Sequence, residues 1–198
     1  SGSATLAAIS QDTSNPPGAT VSSLFSGSFY DTTDEVSGGS AANTLAGIAI
    51  SSHTVDGAKG NWQYSTDSGS TWTALAAAAA PAPAIALTAN ALLRFLPVAG
   101  YSGAATALSV NLIESGLEII SGAGITLVGA TGGTTHVSAA TVALAHTISP
   151  VPTVTVPAIV VPGGTITVVV ANGPGNLDDK LAWYFPSTEE DFYPTDYV

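Results

Sequence analysis

Carboxylates are the side chains of this sequence best suited to chemistry, because several of them lie close together in loop-like segments. Asp31, Asp34 and Glu35 stand together among Thr, Ser and Gly residues. Calcium binds six to eight oxygens from the carboxylates and carbonyls of such flexible loops. A solvated loop that binds no ion is nevertheless the favoured interpretation. A calcium site at these three residues is the alternative hypothesis. Further acidic clusters occur at Asp178-Asp179 and at Glu189-Glu190-Asp191.

Histidine and serine residues lack the spacing that catalytic or zinc sites require. His53, His136 and His146 are far apart in the chain, and there is no cysteine. A structural zinc site needs three or four converging ligands, and no Gly-x-Ser-x-Gly nucleophile motif occurs. The sequence therefore predicts a protein that is not an enzyme. His146 lies on an apolar strand face, which favours a hydrogen-bonded residue at the rim of the core over a metal ligand.

One short motif has a specific structural meaning. Ser65-x-Asp67-x-Gly69-x-Thr71-Trp72 matches the Asp-box pattern of sialidase-type propellers, where it stabilises a hairpin turn away from the catalytic site. Propeller enzymes need repeated blades, and here the motif occurs once. It therefore predicts a turn and gives no support for a glycosidase.

Composition excludes several classes of partner. Three basic residues stand against 14 acidic ones. Such a chain repels phosphate backbones and anionic lipid, so we expect neither nucleic-acid binding nor binding to a membrane surface. No apolar run approaches the roughly 20 residues that span a bilayer, so we expect no membrane insertion either. An acidic, Thr-rich, Lys-poor composition is typical of secreted bacterial and phage structural proteins. We therefore expect an extracellular or cell-surface location, with a virus particle as the alternative.

The elements that would position these residues are predicted to be strands. Short runs of Val, Ile and Thr between Gly and Pro favour strands and turns, whereas long helices would need many more charged residues. Strands are predicted at residues 45–50, 91–98 and 107–113. Residues 61–75 are predicted to form a hairpin about the turn at 66–69.

Two strands show a clear alternation of apolar and polar side chains. In the first, Leu108, Val110 and Leu112 are predicted to face inward, and Ser109 and Asn111 outward. Residues 124–130 and 136–148 are predicted to form a hairpin about the turn at 131–134. In its second strand, one face carries Val142, Leu144, His146 and Ile148.

Residues 149–152 divide the chain. Ser149-Pro150-Val151-Pro152 reads as a stiff, extended linker of the kind that separates modules. We predict a β-sandwich at residues 1–148 and a second, small or incomplete β module at 149–198. The aromatic tail is predicted to form an intersubunit contact or the core of the second module, with stacking on sugar rings as the alternative. Its residues are Trp183, Tyr184, Phe185, Phe192, Tyr193 and Tyr197.

Several stretches together resemble a repeat of large bacterial surface and RTX-type adhesin proteins. They are Leu45-Ala46-Gly47-Ile48-Ala49-Ile50, residues 60–72, Leu92-Leu93-Arg94-Phe95-Leu96-Pro97, Gly100-Tyr101-Ser102-Gly103 and residues 132–142. The resemblance covers residues 5–148 in patches. It implies an immunoglobulin-like or cadherin-like sandwich with a structural or adhesive role.

A second resemblance begins after the linker. Pro162-Gly163-Gly164-Thr165-Ile166-Thr167-Val168 and Ala171-Asn172-Gly173-Pro174-Gly175-Asn176 resemble the start of a bacterial or phage-borne immunoglobulin-like module. Together the resemblances imply a non-catalytic module that self-associates or adjoins neighbouring modules of the same chain. A virion decoration or fibre subunit and a carbohydrate-binding module are the alternatives.

Overall fold

The computed structural model describes residues 2–31, 42–79, 83–155 and 168–171. The chain divides into two compact units, Ser1–Pro150 and Val151–Val198. The described residues are predominantly β, so the predicted all-β class is confirmed.

The first unit contains a seven-stranded sheet. Six strands follow one another across it, and β8 (Gly103–Ala104) pairs separately with the end of β11. In spatial order the six are β1 (Gly2–Ser10), β11 (Val137–Ser149), β9 (Leu108–Glu114), β3 (Leu45–His53), β6 (Ala84–Thr88) and β10 (Gly124–Ile125). β1 runs parallel to β11, and the other pairs in this sheet are antiparallel.

A smaller, four-stranded sheet faces the large one. Its order is β2 (Ala19–Thr20), β7 (Leu92–Pro97), β4 (Gly60–Ser65) and β5 (Thr73–Ala74). A short helix, α1 (Val21–Phe25), follows β2 and buries Val21 and Phe25. The Thr20 side chain caps this helix by accepting a 3.1 Å hydrogen bond from the Ser23 amide.

The main core lies between the two sheets. The large sheet contributes aliphatic side chains, and the small sheet contributes Trp62, Leu93 and Phe95. Trp62 is fully buried, and its ring meets Phe95 edge to face with centroids 5.4 Å apart. The aliphatic residues include Ile48, Ile50, Leu108, Val110, Leu144 and Ile148.

A second apolar cluster covers the opposite face of the large sheet. Ala49, Ala84, Ile113 and Val137 form it, so strands β3 and β9 are buried on both faces. The alternation along β9 is as predicted, because Leu108, Val110 and Leu112 face the main core and Asn111 faces away from it. The expected exposure of Asn111 to solvent is wrong. Asn111 is buried on this second face, where its Nδ2 donates a 2.8 Å hydrogen bond to the Ser138 carbonyl.

Four other strand predictions are confirmed. The predicted strands at residues 45–50 and 91–98 correspond to β3 and β7. β4 and β5 form the predicted hairpin, with Gln63 opposite Ala74 and Tyr64 opposite Thr73. In β11 the face that carries His146 is buried, and the intervening residues from Thr141 to Thr147 are exposed.

The predicted hairpin of residues 124–130 with 136–148 is wrong. β10 pairs with β6 instead, and β11 lies between β9 and β1. The turn itself forms: Gly132 and Gly133 take φ values of 73° and 63°, and the Gly132 amide bonds to the Val137 carbonyl at 2.7 Å. That turn fixes where β11 begins. The strand partners of β11 are set by packing against residues far away in the sequence.

In the second unit, β12 (Thr153–Thr155) pairs antiparallel with β13 (Val169–Ala171). Val154 and Val170 stand opposite each other, and both are exposed.

None of the helices in the described ranges is long and apolar enough to cross a membrane.

The two-sided alternation of β11 leads to a stability prediction. Leu144→Ala should lower the free energy of unfolding of the first unit by about 2–5 kcal/mol, because a fully buried side chain leaves a cavity. The matched control is Ala143→Ser on the exposed face, which should change it by less than about 0.5 kcal/mol. Urea unfolding followed by circular dichroism measures both. Equal effects of the two substitutions would contradict the described packing.

Candidate functional site

Most of the predicted site residues lie outside the described ranges. Asp34, Glu35 and the six tail aromatics at 183–197 belong to this group. The tail interface therefore stays a prediction. Asp31 is the predicted calcium ligand that the structure describes.

Asp31 lies at the end of the segment that follows α1. Its Oδ2 accepts a 2.7 Å hydrogen bond from the Asn43 amide. Asn43 in turn lies beside β9, where its Oδ1 accepts a 3.0 Å hydrogen bond from the Ser115 hydroxyl. The Asp31 carboxylate thus ties together the two chain segments that flank residues 32–41.

Asp31 also lines the rim of an open cleft of about 370 Å³. One wall is the segment from Ser28 to Asp31, and the other is the turn and strand start at residues 132–138. Leu112 and Glu114 of β9 contribute the floor. Tyr30, which is 83% exposed, lies along one wall of this cleft.

Glu114 and His136, which both line the cleft, form a side-chain hydrogen bond. The Glu114 Oε1 and the His136 Nδ1 are 2.9 Å apart. The antiparallel ladder places them together, because the Glu114 amide donates a 3.0 Å hydrogen bond to the His136 carbonyl. The spacing of the sequence did not predict this pair, since Glu114 and His136 are 22 residues apart and only strand pairing brings them together.

The described part of the cleft offers hydrogen-bonding groups but no metal centre. No group of three or more His, Asp or Glu side chains in the described ranges could hold a metal ion. The calcium site at Asp31, Asp34 and Glu35 stays a prediction. An aromatic ring, two carboxylates and an imidazole around one cleft can bind a polar ligand through stacking and hydrogen bonds.

The Asp67 turn forms a closed hydrogen-bond network, as the motif predicted. The Asp67 carboxylate accepts from the Thr71 amide at 2.8 Å, from the Thr71 hydroxyl at 2.6 Å and from the Ser65 hydroxyl at 2.7 Å. Ser65 Oγ accepts in turn from the Gly69 amide at 2.8 Å. These bonds, those from Thr71 first, lower the pKa of Asp67 to about 2.

Trp72 connects this turn to Arg94 of β7. The Trp72 Nε1 donates to the Gly69 carbonyl at 3.0 Å, and the Arg94 guanidinium carbon lies 3.9 Å from the centre of the Trp72 ring. The Arg94 Nε donates to Gln63 Oε1 at 2.8 Å, and its Nη1 donates to Asn15 Oδ1 at 2.7 Å. The arginine therefore fastens the segment around Asn15 to the four-stranded sheet.

Arg94 is a structural residue that no local sequence pattern predicted. Arg94 is 7% exposed, and its partners in the described ranges are neutral oxygens and an aromatic ring. Burial lowers the pKa of Arg94 from its ordinary value. The sequence did contain one indication of this role: Arg94 stands between the core residues Leu93 and Phe95. A charged side chain on such a strand needs specific partners if it is buried.

The other two histidines are buried and bond to backbone carbonyls. His53 Nδ1 lies 3.1 Å from the Ala76 carbonyl oxygen, and His146 Nδ1 lies 3.3 Å from that of Leu6. His146 was predicted to be hydrogen-bonded at the rim of the core. It is hydrogen-bonded, but it lies inside the core at 3% exposure.

The Asp67 network predicts a specific change in acidity. Thr71→Val should raise the pKa of Asp67 from about 2 towards its ordinary value, because it removes the hydroxyl donor and leaves the Thr71 amide in place. Since the folded-state pKa is lowered, the ionised carboxylate stabilises the turn above about pH 4 and this contribution is lost as the pH falls towards 2. Carbon-13 NMR titration of the carboxyl measures the pKa.

Ser70→Ala is the matched control for this titration. The Ser70 hydroxyl donates to the Asp67 backbone carbonyl at 3.0 Å, so its loss should leave the carboxylate unchanged. An equal shift in both variants would contradict the assigned network.

Comparisons with protein-family models, with curated proteins and with solved structures found no match to this chain.

Proposed function

We propose that this chain is a non-catalytic extracellular structural module that spaces or assembles a larger surface protein or filament. The observation that carries the proposal is the parallel pairing of β1 with β11. Gly2 stands opposite Val142 at one end of this pair, and Ser10 stands opposite Ser149 at the other. Chain that precedes Gly2 therefore meets the first unit at the opposite end from chain that follows Ser149.

Such a placement suits modules joined end to end. From Val142 to Ser149 the strand advances by about 23 Å, at roughly 3.3 Å per residue. Tension applied along the chain pulls β1 and β11 in opposite directions along their length. Their interstrand hydrogen bonds then share the load, whereas strands peeled from one end would break one bond at a time.

Sheet order supports the immunoglobulin-like or cadherin-like part of the proposal. Immunoglobulin-type sandwiches place strands C, F and G in one sheet and B, E and D in the other. Here β3, β9 and β11 are neighbours in the large sheet, and β2, β7 and β4 are neighbours in the small one. If β3, β9 and β11 correspond to strands C, F and G, and β2, β7 and β4 correspond to strands B, E and D, the two sheets have the same neighbouring strands as an immunoglobulin-type sandwich.

Self-association and contact with neighbouring modules are part of the same proposal. A virion decoration or fibre subunit remains the alternative, because an end-to-end module serves a virus particle equally well. Neighbouring genes for capsid or tail proteins would favour the virion, and repeated modules in the same gene would favour the surface protein.

The mechanical role can be tested by single-molecule force spectroscopy of the full chain. The protein has no natural cysteine, so pairs of introduced cysteines define where the force acts. Pulling on Ser3→Cys with Ser149→Cys shears β1 against β11. Pulling on Ser10→Cys with Ser149→Cys peels them apart from one end. We expect a much larger unfolding force in the shear geometry.

The peeling pair is a matched control, because all three serines are exposed and one attachment point is shared. Equal unfolding forces in the two geometries would overturn the spacer role that we assign to this strand pair.

Carbohydrate binding is a second candidate function, and Tyr30 is the observation that favours it. A tyrosine that is 83% exposed beside a cleft can stack on a sugar ring. The Asp31 and Glu114 carboxylates and the His136 imidazole line the same cleft, where they can bind hydroxyl groups. This candidate uses described residues, in contrast to the tail aromatics that the sequence suggested.

A glycan array with the full chain tests this candidate. Tyr30→Ala should abolish binding to every glycan that the unmodified protein binds on the array, because the stacking surface is lost. Ile120→Ala is the matched control, since Ile120 is 77% exposed and lies outside the cleft. No binding by the unmodified protein, or equal binding by both variants, would contradict the assignment.

A further inference from the structure

His146 occupies an unusual place for a titratable residue. It lies on β11 and is 3% exposed. Its ring stands 6.0 Å from that of Trp62 and 5.9 Å from that of Phe95, measured between centroids. The imidazole is therefore a component of the apolar core between the two sheets.

The hydrogen bond of His146 reaches the edge strand β1. Its Nδ1 lies 3.3 Å from the Leu6 carbonyl oxygen, which can only accept, so Nδ1 carries the proton. Nε2 is then the unprotonated nitrogen, and it is a buried atom without a hydrogen-bond partner in the described ranges. The bond falls where the β1–β11 register shifts, between Leu6 and Ile9.

The surroundings offer no charge to balance a protonated ring. β1 contains no titratable side chain, and β4 and β7 present Trp62 and Phe95 to the ring. Arg94 of β7 is engaged with Gln63, Asn15 and Trp72.

The other titratable groups nearby also have neutral partners. The Tyr101 hydroxyl donates to the Ala104 carbonyl, next to the end of β11. On β3, His53 bonds to the Ala76 carbonyl. In the described residues no carboxylate forms an ion pair or a hydrogen bond with His146. A proton on Nε2 would therefore place an unpaired charge in the core, which is costly.

We propose that His146 is an acid-sensitive latch, which holds β1 on β11 while it is neutral and releases β1 when it is protonated. The released element is β1 because it lies at the end of the sheet and has a single strand neighbour, whereas β11 pairs with β1, β9 and β8. Moving β1 away opens the core beside Leu6, which gives the charged ring access to water. The latch requires neither the spacer role nor glycan binding.

The sign of the pH dependence follows from burial. Burial lowers the pKa of His146 below its ordinary value of about 6.5 and outweighs the backbone hydrogen bonds with Leu6 and Ala7, which raise it. The open state therefore binds the proton more readily than the closed state. The closed state has its full stability above about pH 6.5. It loses stability as the pH falls below that value, until the buried ring itself becomes protonated.

Hydrogen exchange of the full chain at pH 7.5 and pH 5.0 tests the latch. After correction for the intrinsic exchange rate, the opening constant of β1 amides should be about 10- to 30-fold larger at pH 5.0 than at pH 7.5. The upper value applies if the His146 ring stays neutral in the closed state and has its ordinary pKa in the open state. Amides of β9 should change much less. Ala143→Ser, on the exposed face of β11, should behave as the unmodified protein, and His146→Gln should lose the selective effect.

Nitrogen-15 NMR of the unmodified protein gives a measurement that needs no variant. We expect a neutral ring with the proton on Nδ1, and titration below the ordinary pH range. Titration of His146 at or above pH 6.5 in the folded protein would overturn the proposal. Selective opening of β1 that persists in His146→Gln, or no selective opening in the unmodified protein, would do so as well.

Discussion

Burial of Trp62 between the two sheets is the interaction on which the rest of the first unit depends. Its ring contacts Phe95 of its own sheet and His146 of the opposite sheet. Its indole nitrogen donates a 2.8 Å hydrogen bond to the Thr106 carbonyl, so the polar atom of the ring is satisfied inside the core. Without this side chain the two sheets would lose both their largest shared apolar surface and a specific alignment.

A chain with few charged residues must satisfy its buried polar groups with neutral partners. Arg94 does so with amide and carbonyl oxygens and a tryptophan face, and Asn111 does so with the Ser138 carbonyl. Two side chains of the described ranges are exceptions: the Thr106 hydroxyl and one ring nitrogen of His146 are buried without a hydrogen-bond partner. Unsatisfied buried polar atoms are costly, so such an atom is where a change of protonation state has the largest effect on stability.

The same strand pair carries both the spacer proposal and the latch proposal. β1 and β11 connect opposite ends of the first unit, and His146 bonds the two strands at their register shift. A pair that bears tension must stay closed during use, and a titratable residue at its centre would make that strength depend on pH. The cleft beside Tyr30 lies elsewhere, at the start of β11, and can act independently.

The sequence by itself determined features that depend on neighbouring residues. The all-β class, the turn at Asp67, the hairpin of β4 with β5 and the alternation along β11 follow from turn chemistry and from a two-residue period. Only the tertiary structure decided which strands pair with β11, that Asn111 faces a second core, that Arg94 lies beneath Trp72 and that Glu114 meets His136. Each of these depends on residues far apart in the chain, whose contacts are selected by packing of the whole unit and leave no local pattern.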